Sequence, residues 1–237
     1  MNTGRLNAVL VGILFILGTG TGVAAAAIET PILTAPDYLS QLAANSGLMT
    51  LGVFLQFIMA VSCAGIGIAL YPVMKRYRES QAIAVVGYRI MEGSIEILGA
   101  IATVCLLVLG REWVKVGGDL AVYQTIGTVI KGGSDWLSNG PMLFCWCIGA
   151  YMYYAVFYQY RLVPRWLSIW GLVGITLTVL SSLLIVLNIL PTDTKFNVFS
   201  VIFNLPIAIQ EPVFAVWLIV KGYTHPKPVS LEPVMVS

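Results

Sequence analysis

Residues 88–110 read "YRIMEGSIEILGAIATVCLLVLG", and the way they are read decides the fold. The second half is as apolar as a lipid tail, yet the first nine residues hold Arg89, Glu92 and Glu96. A bilayer core about 30 Å thick is crossed by about 20 apolar residues in helix. Counted from residue 82, the run is long enough to be such a span. On a helix, positions 89, 92 and 96 fall at i, i+3 and i+7, in one stripe that continues toward Thr103. A charged side chain facing lipid costs about 2.5 to 3.5 kcal/mol on insertion scales. The stripe is therefore expected to face protein or water.

The rest of the chain agrees with a membrane setting. Of 237 residues, 58% are hydrophobic and 10% charged, against roughly 25% charged in soluble domains. Mean hydropathy is +0.88. Six apolar runs, at 7–27, 47–74, 82–110, 139–160, 166–190 and 197–220, predict an all-α integral membrane protein, a bundle of six transmembrane helices. Residues 1–223 read as one six-helix domain, and 224–237, "THPKPVSLEPVMVS", as a disordered cytoplasmic tail.

Charge sets the expected orientation. With the N-terminus in the cytoplasm, eight basic residues lie inside: Arg5, Lys75, Arg76, Arg78, Arg161, Arg165, Lys221 and Lys227. Four lie outside: Arg111, Lys115, Lys131 and Lys195. That distribution follows the positive-inside rule and predicts a multi-pass protein of the inner (cytoplasmic) membrane with both termini cytoplasmic. Trp113 and Trp136 would mark the outer interface. Trp166 with Tyr151, Tyr153, Tyr154, Tyr158 and Tyr160 would mark the inner one.

The first run has a second reading, because Arg5 and the stretch Ala24–Ala27 resemble a secretory signal peptide. The reading adopted is a retained span, in which Gly18, Gly20 and Gly22 allow close helix contact. Two segments are expected over the outer mouth. Pro36, Asp37 and Gly47 predict a short interfacial helix within 28–46. Residues 114–137 are apolar over too few positions for a seventh span and predict a re-entrant or surface helix.

Several functions are excluded or disfavoured. The net charge of +2 is small and the basic residues are scattered, so no nucleic-acid partner is expected. Cys63, Cys105, Cys145 and Cys147 read as packing residues, and the only histidine, His225, lies in the tail. No metal site and no cofactor are expected.

Candidate site residues come from the third and sixth spans. In "FNLPIAIQEPVFAVW", Glu211 lies ten residues from Lys221, about 15 Å at 1.5 Å per residue, close to the midplane. Glu96 lies roughly 22 Å from Arg111 by the same rise. The two carboxylates thus differ in depth by less than about two helical turns and are expected to be able to share a cavity. Gln210, Asn204 and carbonyls freed by Pro206 and Pro212 would add a polar lining. Arg89 and Glu92 read first as a packing ion pair. Glu96 follows an acidic residue on its own helix instead of a base, which makes it a ligand-binding or proton-exchanging candidate. Gln56, Asn188 and Asn197 read as interhelical glue or boundary residues.

The stretches "LYPVMKRYRE", "YRIMEGSIE", "RLVPRWLSIWGLVG" and "QEPVFAVWLIVKGY", in this order, resemble the bacterial membrane family catalogued as domain of unknown function 4386. The resemblance implies a six-span helical protein of the bacterial cytoplasmic membrane. It implies no catalytic residues. Three functions stay open: binding or transport of a small lipophilic or cationic molecule, cofactor-independent acid/base catalysis on a hydrophobic substrate by an isomerase or cyclase, and a structural or regulatory subunit. The partners expected are the lipid bilayer and a small lipophilic ligand, with the oligomeric state undetermined by sequence.

Overall fold

The computed structural model describes residues 3–187, 189 and 198–224. Its helices are α1 Thr3–Leu33, α2 Tyr38–Ala44, α3 Ser46–Met74, α4 Glu79–Val116, α5 Leu120–Leu137, α6 Leu143–Tyr160, α7 Arg165–Val186 and α8 Val198–Val220. A π-helical turn, Ser138–Met142, joins α5 to α6. Six of these rods are long and apolar enough to cross a membrane: α1, α3, α4, the continuous stretch Leu120–Tyr160, α7 and residues 202–220 of α8. The chain is a multi-pass α-helical membrane protein.

The six spans close into a ring. α1 packs on α3, α3 on α4, α4 on α6, α6 on α7, α7 on α8, and α8 returns to α1. The closing seam is polar as well as apolar. Arg5 donates to the carbonyls of Leu218, Ile219 and Val220 at the end of α8, where helical donors run out. Small residues let the backbones approach elsewhere. A Cβ added at Gly93 would meet the Ala60 carbonyl oxygen at 2.6 Å, so α3 and α4 touch main chain to main chain there.

On the side of the bundle that carries both ends of the ring, the interior is filled by aromatic side chains. Phe15 meets Tyr153 and Phe214 edge-on, at 6.0 and 5.2 Å between centroids, and Phe157 stacks on Phe214 at 5.8 Å. Tyr153 and Tyr154 were expected at the membrane interface and instead lie fully buried in this layer. The physical reason is on the neighbouring helix: Gly171 of α7 leaves the space in which the Tyr154 ring sits, 2.7 Å from where a Cβ would be. Tyr151, Trp136 and Trp166 stay exposed, as expected of belt residues.

On the other side, three segments cover the ring. α1 continues through Glu29, Thr30 and Pro31, so much of what read as loop is helix. α2 starts behind Asp37, but it ends at Asn45, whose side chain donates to the Gln41 carbonyl; Gly47 is already inside α3. α4 stops at Gly117, which adopts the left-handed φ of 66° that ends a helix. α5 then folds back along α4, largely exposed, with Asp119 capping its first turn through the Ala121 N–H. α8 runs as one α-helix through Pro206 and Pro212, without the irregular backbone expected there. Asn188, Asn197, Lys195 and residues 225–237 of the expected tail, with His225 and Lys227, lie outside the described residues, while Thr224, the tail's first residue, donates its N–H to the Leu162 carbonyl at 2.8 Å.

Candidate functional site

Just beyond the aromatic layer, the ring frames a partly open cavity of about 270 Å³. Five of its spans contribute: Phe15, Gly18, Thr19, Gly22 and Val23 from α1, Met59, Cys63 and Ile66 from α3, Arg89 and Glu92 from α4, Met142 of the π-helical turn with Leu143 and Trp146 of α6, and Glu211 from α8. Most of this wall is apolar. Three ionisable side chains converge on it.

Arg89 is 2% exposed and spans the contact between three helices. Its Nη1 lies 2.9 Å from Glu92 Oε2 and its Nε donates to the Cys63 carbonyl at 3.2 Å. Gly67 on α3 and Gly149 on α6 make room for its stem, which lies 2.8 Å and 3.6 Å from the positions their Cβ atoms would take. A buried guanidinium requires such fixed acceptors, because an unpaired buried charge costs several kcal/mol. Glu211 is held differently. Thr19, near the middle of α1, donates its hydroxyl to Glu211 Oε2 at 2.8 Å.

The expected site residues therefore separate. Glu92, Arg89 and Glu211 share the cavity. Glu96, one turn further along α4, is half-buried and does not line it. Gln210 turns the other way: Tyr154 donates to its Oε1 at 2.6 Å, and its Nε2 donates to the Leu167 carbonyl at 3.1 Å, tying α8 to α6 and α7. Asn204 is half-buried, two turns from Glu211 and off the cavity wall.

A further buried carboxylate was not singled out from sequence. Glu29, 1% exposed, receives the Gln56 amide nitrogen on both oxygens, at 2.8 and 2.6 Å. Thr103 of α4 approaches the same nitrogen at 3.4 Å. Gly52 admits the carboxylate, since a Cβ there would lie 2.6 Å from Glu29 Oε1. The signal was the spacing of Gly52 and Gln56, i and i+4 on one face of α3, which becomes meaningful only once α1 is known to pack there. Above this cluster a small pocket of about 60 Å³, lined by Thr30, Thr103, Lys131, Ser134 and Asp135 among others, opens toward α5. Lys131 is fixed at its rim, donating to the Leu33 carbonyl at 2.6 Å and lying 4.6 Å above the Tyr38 ring. Burial pushes the Tyr38 phenol up from its ordinary range, so the lysine sits over a neutral ring.

No group of three or more histidine, cysteine, aspartate or glutamate side chains among the described residues is arranged to hold a metal ion. Ring, aromatic floor and charged cavity together define a polytopic helical membrane protein with a polar centre. Residues 10–222 match the model of the family described as Domain of unknown function (DUF4386), and the chain belongs to that family. No curated protein and no solved structure matches the chain.

Proposed function

We propose that the central cavity binds a small lipophilic cation, and that the protein serves as a binding or transport protein for such molecules. The observation that carries this reading is the convergence of Glu92 and Glu211 with a single guanidinium, Arg89, inside an otherwise apolar wall. Two carboxylates against one guanidinium leave the lining net negative when both are ionised. Trp146 and Phe15 supply aromatic surface, to which a weakly hydrated cation is attracted. At about 270 Å³ the space falls just under the roughly 300 Å³ at which drug-sized pockets begin, so the ligand is small. The clustering of basic residues at the ends of α1, α3, α6 and α8 supports a cytoplasmic position for the termini and an inner-membrane location.

Calorimetry on the protein in lipid nanodiscs tests the reading with two probes of the same shape, benzyltrimethylammonium and its neutral carbon analogue neopentylbenzene. The cation should bind, the analogue should bind at least tenfold more weakly, and Glu211→Gln should remove the difference. Equal binding of the two probes, or a preference unchanged by Glu211→Gln, overturns it. Acid/base catalysis on a hydrophobic substrate is the second reading. It is favoured by the unlike partners of the two carboxylates, an arginine for Glu92 and a threonine hydroxyl for Glu211, which suit one group to donate and the other to accept a proton. Liquid chromatography with mass spectrometry of co-purifying lipophiles, before and after incubation with the protein, would reveal a product of equal mass and altered retention only if this second reading holds.

A further inference from the structure

We propose that Glu29 and Gln56 form a proton-exchange station, separate from the central cavity and reached from the α2 and α5 side. Three observations meet there. The carboxylate of Glu29 is buried and both its oxygens face one amide. The other atom of that amide, Gln56 Oε1, is buried with no hydrogen-bond partner, and Gln56 itself is only 8% exposed. The Thr103 hydroxyl approaches the amide nitrogen and also lines the small pocket whose rim holds Lys131 and Asp135. The Thr30 hydroxyl oxygen, in the same lining, is buried without a partner as well.

An amide is suited to a carboxyl group that changes its proton count. An ionised carboxylate only accepts, and the Nε2–H₂ group of Gln56 donates to it. A carboxylic acid has an O–H to donate, and a half-turn of the amide about its last bond brings Oε1 into place to receive it. The unpartnered oxygen is thus the acceptor of the protonated state. The proton comes from water at the α5 rim, adds to one carboxylate oxygen, and returns to water by the same route. A metal cation fits less well, because a donor N–H₂ already faces both oxygens.

The station is separated from the cavity by Met59, one turn from Gln56 on α3, whose sulfur fills the space beside Gly22 of α1. The titratable and charged groups on the surrounding elements include Cys63 on α3, Arg89, Glu92, Glu96, Cys105 and Arg111 on α4, Tyr123, Lys131 and Asp135 on α5, and Tyr38 on α2. The inference stands on these residues and not on the identity of any ligand in the cavity.

Infrared difference spectroscopy of the full chain in lipid bilayers, stepped through pH, tests it. A carboxylic-acid C=O band should titrate, vanish in Glu29→Gln, persist in Glu211→Gln, and move its midpoint by at least one pH unit in Gln56→Met. The near-isosteric Glu29→Gln carries the test by itself if Gln56→Met does not fold. A spectrum unchanged by Glu29→Gln overturns the proposal, as does a Glu29 signal that follows sodium replaced by choline and ignores pH. Binding of benzyltrimethylammonium should be unaltered by Glu29→Gln, so failure of the cavity reading and failure of this one are told apart.

Discussion

The two halves of the ring are built on opposite principles. On the side of the chain ends, Phe15, Tyr153, Tyr154, Phe157 and Phe214 interlock with buried aliphatic residues such as Leu70, Met74 and Leu218. Gln210, fully buried in that half, is tied at both ends to protein. On the α2 and α5 side, the helices hold carboxylates, hydroxyls and two cavities, with apolar contacts confined to a smaller cluster around Leu39, Leu42, Met49 and Leu106. Interlocked rings leave little space for water between them, and a pocket near the chain ends, about 110 Å³ beside Asn7 and Tyr223, is less than half the size of the cavity that holds Glu92 and Glu211. The contrast teaches that one half has the build of a floor and the other the shape of a receptacle.

The largest effect expected from breaking this contrast is at its border. Arg89→Met should cost about 3 to 5 kcal/mol, because it strands Glu92 without its counter-charge, and thermal unfolding in detergent measures it. Replacing both partners by apolar residues should recover most of that loss, since the penalty belongs to the stranded charge. A smaller loss, about 1 to 2 kcal/mol, is expected in the floor for Tyr154→Phe, which leaves the Gln210 oxygen without its donor. Smaller again is Thr19→Val, at about 0.6 kcal/mol, the usual size of an interhelical hydrogen bond in a membrane protein. That substitution should nevertheless change the affinity for benzyltrimethylammonium severalfold, because Glu211 lies in the receptacle. At the end of the scale, Glu112→Gln should not shift the unfolding temperature: its pairing with Lys115 at 3.7 Å is solvent-exposed.

How much of this was legible in the sequence differs between the halves. The number and place of the six spans could be read because about 20 apolar residues are a requirement of the bilayer itself, whereas ends such as that of α1, which runs on to Leu33, could not. The Arg89–Glu92 pair could be read because both residues lie on one helix one turn apart. Residues whose meaning depends on another helix could not. Glu211 was expected to look toward Glu96, and Glu92 turned out to be the carboxylate that shares its cavity, since the rotation of α4 is set by Gly67, Gly93 and Gly149 on contacts the chain order does not reveal. Gln210 and Glu211 are adjacent, yet they face opposite directions, one into the floor and one into the receptacle. Glu29, followed by Thr30 and Pro31, carries the local marks of a loop start, and only Gly52 and Gln56 across the interface turn it into a buried group. Tyr153 and Tyr154 could not be placed by type, because an amphipathic ring suits an interface and a core equally.

The seam between α1 and α8 has a consequence for how the protein is made. Arg5 finds its acceptors 213 to 215 residues further along the chain, and Thr19 its carboxylate 192 residues further along. During synthesis the first helix enters the bilayer with these groups waiting, and the barrel of helices stays unlatched until the last one is inserted. Ring closure therefore waits for α8, and the cavity, whose wall includes Glu211, is complete only once that helix is in place.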